Sequence, residues 1–413
     1  MRLRQAGSQR LREKIIPLVG AEVISRISNF IVVVVISRAL GVEALGIFAF
    51  AQTLSNFVKT GCDLGLKTIG VRLLVQGEMV RQVVKRVQEK RVLLGTVIIP
   101  VTVFVVFQGP VPEESRVIAA MMVFGVLFYL LTTEWVFWAK ERYWVLGCWR
   151  AILPLCVLVP VGVGLIVFGD VTLELVAVSY GVSYLVGLVF LKLVSSKETS
   201  EMAVDGGECV TLGKEVGWKN ALVLGGALLF SQLFHYVDAV MLGIMVGAEE
   251  LGFYNASYRL IFLLFGFYYL LTQVMFPSLV RGGVEDWLKV VKASVIIAVF
   301  GILLALCGSS ASETILTLVY GEEFFPATSI LQILFICVPF EFVGALLGTV
   351  VIAWGLARAS LIVMVISFLV NVVLNLFLIP KFGALGSAWA TILSYLFMVP
   401  ALFGVVFWKV YAR

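Results

Sequence analysis

Short polar connections divide the chain into apolar stretches, each about as long as a helix needs to cross a bilayer, roughly 20 residues. They fall at 15–37, 44–66, 88–108, 117–138, 146–168 and 173–194, and again at 218–243, 252–276, 289–310, 324–353, 358–379 and 384–408. In hydrocarbon every backbone N–H and C=O must be bonded within the protein, so an apolar run of this length becomes a helix. The pattern predicts an all-α, polytopic membrane protein of about twelve transmembrane helices. Composition agrees: 61% of residues are apolar and 14% charged, against roughly 45–50% and 25% in soluble domains. A water-soluble core of this chain length could not hide so much apolar surface.

Lysine and arginine collect in cytoplasmic connections and so fix orientation. With both termini cytoplasmic, 25 of the 31 fall in cytoplasmic segments, three (Arg38, Arg116, Lys381) fall outside, and three (Arg26, Lys59, Arg259) lie within spans. The second span is the most polar, yet removing it would invert every later span and scramble this bias. The basic start, Arg2 to Lys14, leads into an apolar run with no small-residue cleavage site after a short core, so the reading is a retained first helix. The expected location is the cell (cytoplasmic) membrane.

The least apolar connection, 195–217, is rich in Ser, Gly and acids and reads as a flexible cytoplasmic linker. It divides the chain into an N-terminal six-helix bundle, 1–194, and a C-terminal one, 218–413. Gly41-Val42-Glu43-Ala44-Leu45-Gly46 matches Gly247-Ala248-Glu249-Glu250-Leu251-Gly252 at an offset of 206. Farther on, Ser183-Tyr184-Leu185 matches Ser394-Tyr395-Leu396 at 211, a drift that loop insertions produce. Six crossings is an even number, so the halves are parallel pseudo-repeats. Such repeats are a transporter architecture, with the substrate at a central cavity between them.

The repeated segments also carry a resemblance. Ala39-Leu40-Gly41-Val42-Glu43-Ala44-Leu45-Gly46-Ile47-Phe48, then Asp63-Leu64-Gly65-Leu66 and Arg72, resembles the N-terminal signature of Wzx-type polysaccharide flippases. Tyr236-Val237-Asp238, Gly247, Gly252, Tyr254 and Arg259 resemble the matching part of their second half, as do Tyr320-Gly321-Glu322-Glu323-Phe324 and Ala327. That family belongs to a superfamily with the MATE drug exporters and the lipid II flippases. The resemblance implies movement of a lipid-(pyro)phosphate-linked oligosaccharide from the cytoplasmic to the outer leaflet by alternating access. Its partners would be that cargo, membrane lipids and other polysaccharide-assembly membrane proteins. A cation-coupled small-molecule exporter of the MATE type is the alternative.

An ionisable group at membrane depth costs on the order of 2.5–3.5 kcal/mol, so such residues should face the bundle interior. Helical spacing places Glu22, Arg26 and Asn29 on one face of the first span, and Gln52, Asn56, Lys59 and Asp63 on one face of the second. Gln232, His235 and Asp238 align in the seventh span. Asn255, Arg259, Phe262, Gly266, Tyr269 and Gln273 form a stripe in the eighth, and Ser367, Asn371 and Asn375 one in the eleventh. The resemblance implies that the first, second, seventh and eighth spans line the cavity. Arg26, Lys59 and Arg259 are then the candidate cationic surface for a phosphorylated headgroup, because cations give charge-assisted contacts to phosphate oxygens. Asn29, Gln52, Asn56, His235, Asn255 and Gln273 are candidate polar lining for sugar hydroxyls.

A structural alternative stands beside this: Glu22 can neutralise Arg26, and Asp63 can neutralise Lys59, each at i, i+4. Asp63 and Asp238 either bind a coupling ion or cap helix ends against arginines such as Arg72. Glu134 and Glu341 receive no role. The stretch Arg72 to Arg91 reads as an amphipathic cytoplasmic helix on anionic headgroups, or as loop charge that sets topology. Six scattered cysteines and one histidine give no metal-ligand spacing, and no cofactor or nucleic-acid partner is expected. The phosphate-loop pattern GxxxxGK[ST] does not occur, so ATP is not the direct energy source. The acid or histidine constellation of an intramembrane enzyme is also missing, so no catalytic residues are expected.

Overall fold

The computed structural model describes residues 2–75, 77–202 and 218–411. Side chains are described from residue 20 onward, except 21, 22, 196–202, 218–225, 228 and several positions between 267 and 282. Most of the expected linker, 203–217, and the side chains of Glu22, Tyr269 and Gln273 therefore lie outside the described residues.

Among the described residues all regular structure is helical: α1 (Arg2–Asp63), α2 (Leu66–Val75), α3 (Val80–Gln108), α4 (Glu113–Leu130), α5 (Glu134–Ala139), α6 (Tyr143–Val163) and α7 (Leu173–Met202). Then follow α8 (Trp218–Met245), α9 (Ala248–Gly282), α10 (Trp287–Ser310), α11 (Ser312–Tyr320), α12 (Thr328–Ala353) and α13 (Ala357–Tyr411). Seven of the described helical segments are long and apolar enough to cross a membrane. Two of these are really helix pairs: α1 breaks at Gly41 (φ 83°, ψ −174°) and α13 at Gly383 (φ 56°, ψ −134°). Only glycine adopts such angles without strain. With α4, α8 and α9, this gives the expected set of about twelve.

Large apolar side chains such as Phe104, Leu306 and Phe377 are exposed on the outer faces. Apolar surface on this scale would not survive in water and fits a lipid surround. The chain is a multi-pass membrane protein.

The chain separates into two compact units: residues 1–35 with 54–225, and residues 36–53 with 226–413. Segment 36–53, the end of the first span and the start of the second, therefore packs with the second unit. The repeat explains how. A methyl group on Gly46 would lie 1.8 Å from the carbonyl oxygen of Ala248, and one on Gly252 would lie 2.2 Å from that of Val42. Ala248 and Val42 are themselves partners at the repeat offset, so the two copies of the motif pack on each other symmetrically. Small residues let helix backbones approach this closely in a membrane. The Glu323 carboxylate accepts from the Val42 N–H at 3.4 Å, and Arg38 donates to the Leu318 and Val319 carbonyls.

Among the described residues of the first unit, one apolar cluster, Leu66, Val83, Val87, Trp135 and Val136, joins α2, α3 and α5. Val83 and Val87 therefore bury their side chains inside the protein, while Arg81, Lys85 and Arg86 face outward. The apolar face of this basic helix is covered by the protein itself.

Span four was expected at 117–138, but α4 stops at Leu130 and α5 begins at Glu134. The last carbonyls of a helix have no donor from a further turn; here the Thr132 N–H and hydroxyl cover that of Tyr129 at 3.1 and 2.7 Å, and an arginine adds to them. The Arg91 guanidinium donates to the carbonyls of Tyr129 and Thr132, each at 3.1 Å. A cation at that end also meets the negative pole of the helix dipole.

Candidate functional site

In the first unit, α1, α3, α4 and α7 bring charged and tyrosine side chains together. Lys59 Nζ donates to the Tyr184 hydroxyl at 2.7 Å. It lies 5.2 Å from the Tyr184 ring centre and 5.8 Å from that of Tyr129, within cation–π range. The two rings pack edge to face at 5.5 Å. Lys67 donates to the Tyr129 hydroxyl, pairs with the Glu134 carboxylate and lies 4.1 Å from the Tyr129 ring centre. Burial opposes the Lys67 charge, but the Glu134 carboxylate and then the Tyr129 hydroxyl outweigh it and hold Lys67 above the usual lysine range.

The Lys59–Asp63 pair permitted by i, i+4 spacing does not form among the described contacts. Asp63 instead lies 3.4 Å from Arg91 Nε, and the Arg91 side chain is 0% exposed. Arg72, the arginine first considered for Asp63, is exposed. Tertiary geometry wins because Arg91 is already fixed there by the α4 carbonyls. Lys59 has no carboxylate within ion-pair distance among the described residues. Arg26 and Asn56 are half-buried on α1. Asn29 donates to the Ser25 carbonyl at 2.8 Å and accepts from the Tyr180 hydroxyl at 3.5 Å.

In the second unit, the Arg259 guanidinium donates to the side-chain oxygens of Gln52 and of Asn255, the latter at 3.3 Å. Three sequence-derived candidates, from α1 and α9, therefore form one cluster. Among the described residues no carboxylate lies within ion-pair distance of Arg259. His235 Nδ1 lies 3.3 Å from the Tyr258 hydroxyl, and Tyr254, Tyr258 and Phe262 stack along α9 at 5.7 and 6.0 Å.

Asp238 is 2% exposed and has no cation beside it among the described residues. Its carboxylate accepts from Tyr254 at 2.8 Å, Asn375 at 2.7 Å and Thr391 at 2.8 Å. These donors come from α9 and both halves of α13. Asn375 also donates to the Asn371 side chain at 3.0 Å, so the stripe expected in the eleventh span lies against Asp238.

The stripes pointed to α1, α8, α9 and α13 but missed Tyr129, Tyr180, Tyr184, Lys67 and Arg91. The tyrosines gave only a weak signal, Tyr180 and Tyr184 at i, i+4 in an apolar helix. Lys67 and Arg91 were counted with the cytoplasmic charge.

The sequence model of a family described as polysaccharide biosynthesis protein matches residues 11–282. The chain belongs to this family. No curated protein sequence matches it. Among solved structures, it is similar to the lipid II flippase MurJ in an inward closed conformation, with TM-score 0.72 and 13% identity over 94% of this chain and 87% of that one. The Vibrio cholerae MATE transporter VcmN gives TM-score 0.64 and 14% identity, covering 99% of each chain. A multidrug resistance MATE family transporter in an inward-facing conformation gives 0.66 and 15%, covering 96% of this chain and 98% of that one. At these identities the shared property is the fold, the polytopic helical fold of flippases and transporters.

Proposed function

We propose that this member of the polysaccharide biosynthesis family flips a lipid-(pyro)phosphate-linked oligosaccharide from the cytoplasmic to the outer leaflet by alternating access. The single observation that carries the reading is the state of two cations within the spans. Lys59 and Arg259 are held by a tyrosine hydroxyl and by amide oxygens, not by carboxylates. A cation kept at membrane depth without a counter-charge raises the cost of insertion and returns no ion-pair stability. It is suited to receiving an anion from outside the protein. Arg259 offers a planar fork to phosphate oxygens, and Lys59 offers a mobile point charge. Arg26 completes the proposed set, with Asn29, Asn56, His235 and Gln273 as polar lining. A site for cationic drugs would need the opposite charge, which disfavours the small-molecule exporter.

Asp238 is the proposed coupling position. A carboxylate this buried is costly when ionised and unpaired, so it suits alternate occupation by a proton or small cation. Asp63, paired to Arg91, takes the structural role. The fold is one of transporters, and we assign the chain no enzymatic chemistry. The proposed setting is the cytoplasmic membrane, with both termini cytoplasmic and other polysaccharide-assembly proteins as neighbours.

The test is reconstitution of the purified chain into liposomes carrying a fluorescent undecaprenyl-pyrophosphate oligosaccharide, with leaflet transfer read by an impermeant quencher. Transfer above protein-free liposomes supports the reading. Transfer at the protein-free rate, together with uptake of a cationic dye by the same preparation, overturns it.

A further inference from the structure

Three cations, Lys59, Lys67 and Arg91, gather on the Tyr129 ring, and two of them have a carboxylate partner. Arg91 pairs with Asp63 and Lys67 pairs with Glu134, which leaves Lys59. A lysine ammonium has three donors, and Lys59 gives one to Tyr184. No further hydrogen-bond acceptor for it exists among the described residues. Tyr184 accepts that bond through its oxygen and so keeps its own O–H to donate. The Tyr129 and Tyr184 rings lie on the ammonium at 5.8 and 5.2 Å, which stabilises the charge without filling its donors. Tyr129 is in turn fixed, its hydroxyl by Lys67 and its carbonyl by Arg91.

We infer that the Lys59 ammonium and the Tyr184 hydroxyl form a two-donor anion subsite that takes a single oxyanion group. Two parts of the cargo carry that chemistry, a phosphate of the lipid carrier and a carboxylate of an acidic sugar. The inference rests on the proposed function for Lys59 as a cargo contact. To it are added Tyr184 as the second donor, Tyr129 as the positioning residue, and a capacity of one negative charge. The two ion pairs are the reason for that capacity. They are charge-neutral and largely buried, so they fix the Tyr129 ring without competing for the ligand.

The experiment measures binding, not transport. The full chain carrying Arg259→Gln, which removes the proposed cargo-binding cation of the second unit, is placed in zwitterionic-lipid nanodiscs. It is titrated separately with dimethyl phosphate and with glucuronate, each carrying one negative charge. One of the two should bind, and the responding anion identifies the part of the cargo that the subsite takes. Adding Lys59→Gln should weaken that binding about 10- to 100-fold, the worth of a charge-assisted contact. Tyr184→Phe keeps the ring and the lysine, so it should weaken binding only about 2- to 10-fold. Both variants should keep the parent's melting temperature, which separates loss of a donor from loss of fold. Tyr129→Phe, which keeps the ring but removes the hydroxyl that Lys67 holds, should weaken binding less than Lys59→Gln does. Absence of binding by both anions, or affinity unchanged by Lys59→Gln, overturns the subsite; affinity unchanged by Tyr184→Phe overturns its second donor. A chain that binds at Lys59 yet flips nothing keeps the subsite and loses the proposed function.

Discussion

Replacing Arg91 by Met should be among the most damaging single changes in the first unit. The side chain is 0% exposed, lies 3.4 Å from Asp63, and donates to two helix-end carbonyls at 3.1 Å. Removing one partner of a buried pair costs roughly 3–5 kcal/mol, because the other charge stays behind. Asp63 is 23% exposed, so some water reaches it and the lower end applies. The expected loss is about 3 kcal/mol, or about 6–12 °C in melting temperature for a unit of this size. Unfolding in nanodiscs followed by tryptophan fluorescence would read it, since Trp135 lies in the neighbouring cluster. Adding Asp63→Asn should recover about half of the loss, leaving only the lost contacts to the Tyr129 and Thr132 carbonyls. A shift below about 2 °C for Arg91→Met, or a double variant in which the two losses simply add, would refute the assignment of Asp63 to Arg91.

Three other outcomes follow from particular contacts. Gly46→Ala or Gly252→Ala places a methyl 1.8 or 2.2 Å from a backbone carbonyl. Each should destabilise the second unit by about 1–3 kcal/mol, read as a lowered melting temperature, with more for Gly46. The stability that the raised Lys67 pKa contributes is fully present below the ordinary lysine value and lost only as pH rises through the higher folded value. The melting-temperature gap between the wild type and Glu134→Gln should therefore stay constant across neutral pH and close only above about pH 10. Asp238→Asn keeps the shape and removes the charge; its amide turns one acceptor into a donor, which the Tyr254 and Thr391 hydroxyls meet by rotating. Transport should lose its dependence on a sodium or proton gradient while the melting temperature holds.

Much of the fold was legible because lipid allows so few solutions. Apolar length gave the helices, and Gly41 and Gly46 with their partners Gly247 and Gly252 gave the repeat, whose glycines then proved to be where the two copies touch. The Gln52–Asn255–Arg259 cluster was legible in part, since each member stood on a polar stripe. Its contacts were not, because stripes place residues on a face and do not say which faces meet. Arg91 was misplaced for a specific reason. The apolar stretch of the third span begins near residue 88, but α3 begins at Val80, so the arginine is inside a continuing helix. Its contacts to the Tyr129 and Thr132 carbonyls and to Asp63 hold it there. The Lys59–Asp63 spacing was correct locally and was overridden by Arg91 and Tyr184, which lie far away in sequence. Tyr129 had only Thr132 and Thr133 at helical spacing and no charged or amide residue, so periodicity gave it little weight.

The most direct measurement compares leaflet transfer of a pyrophosphate-linked oligosaccharide by the wild type with that of Arg26→Ala, Lys59→Ala and Arg259→Ala, at matched incorporation and melting temperature. Cations that hold the phosphorylated headgroup predict transfer reduced to the protein-free rate in the variants, with Arg259→Lys restoring less than Lys59→Arg because only arginine has a planar fork. Wild-type rates in all three alanine variants would contradict the account.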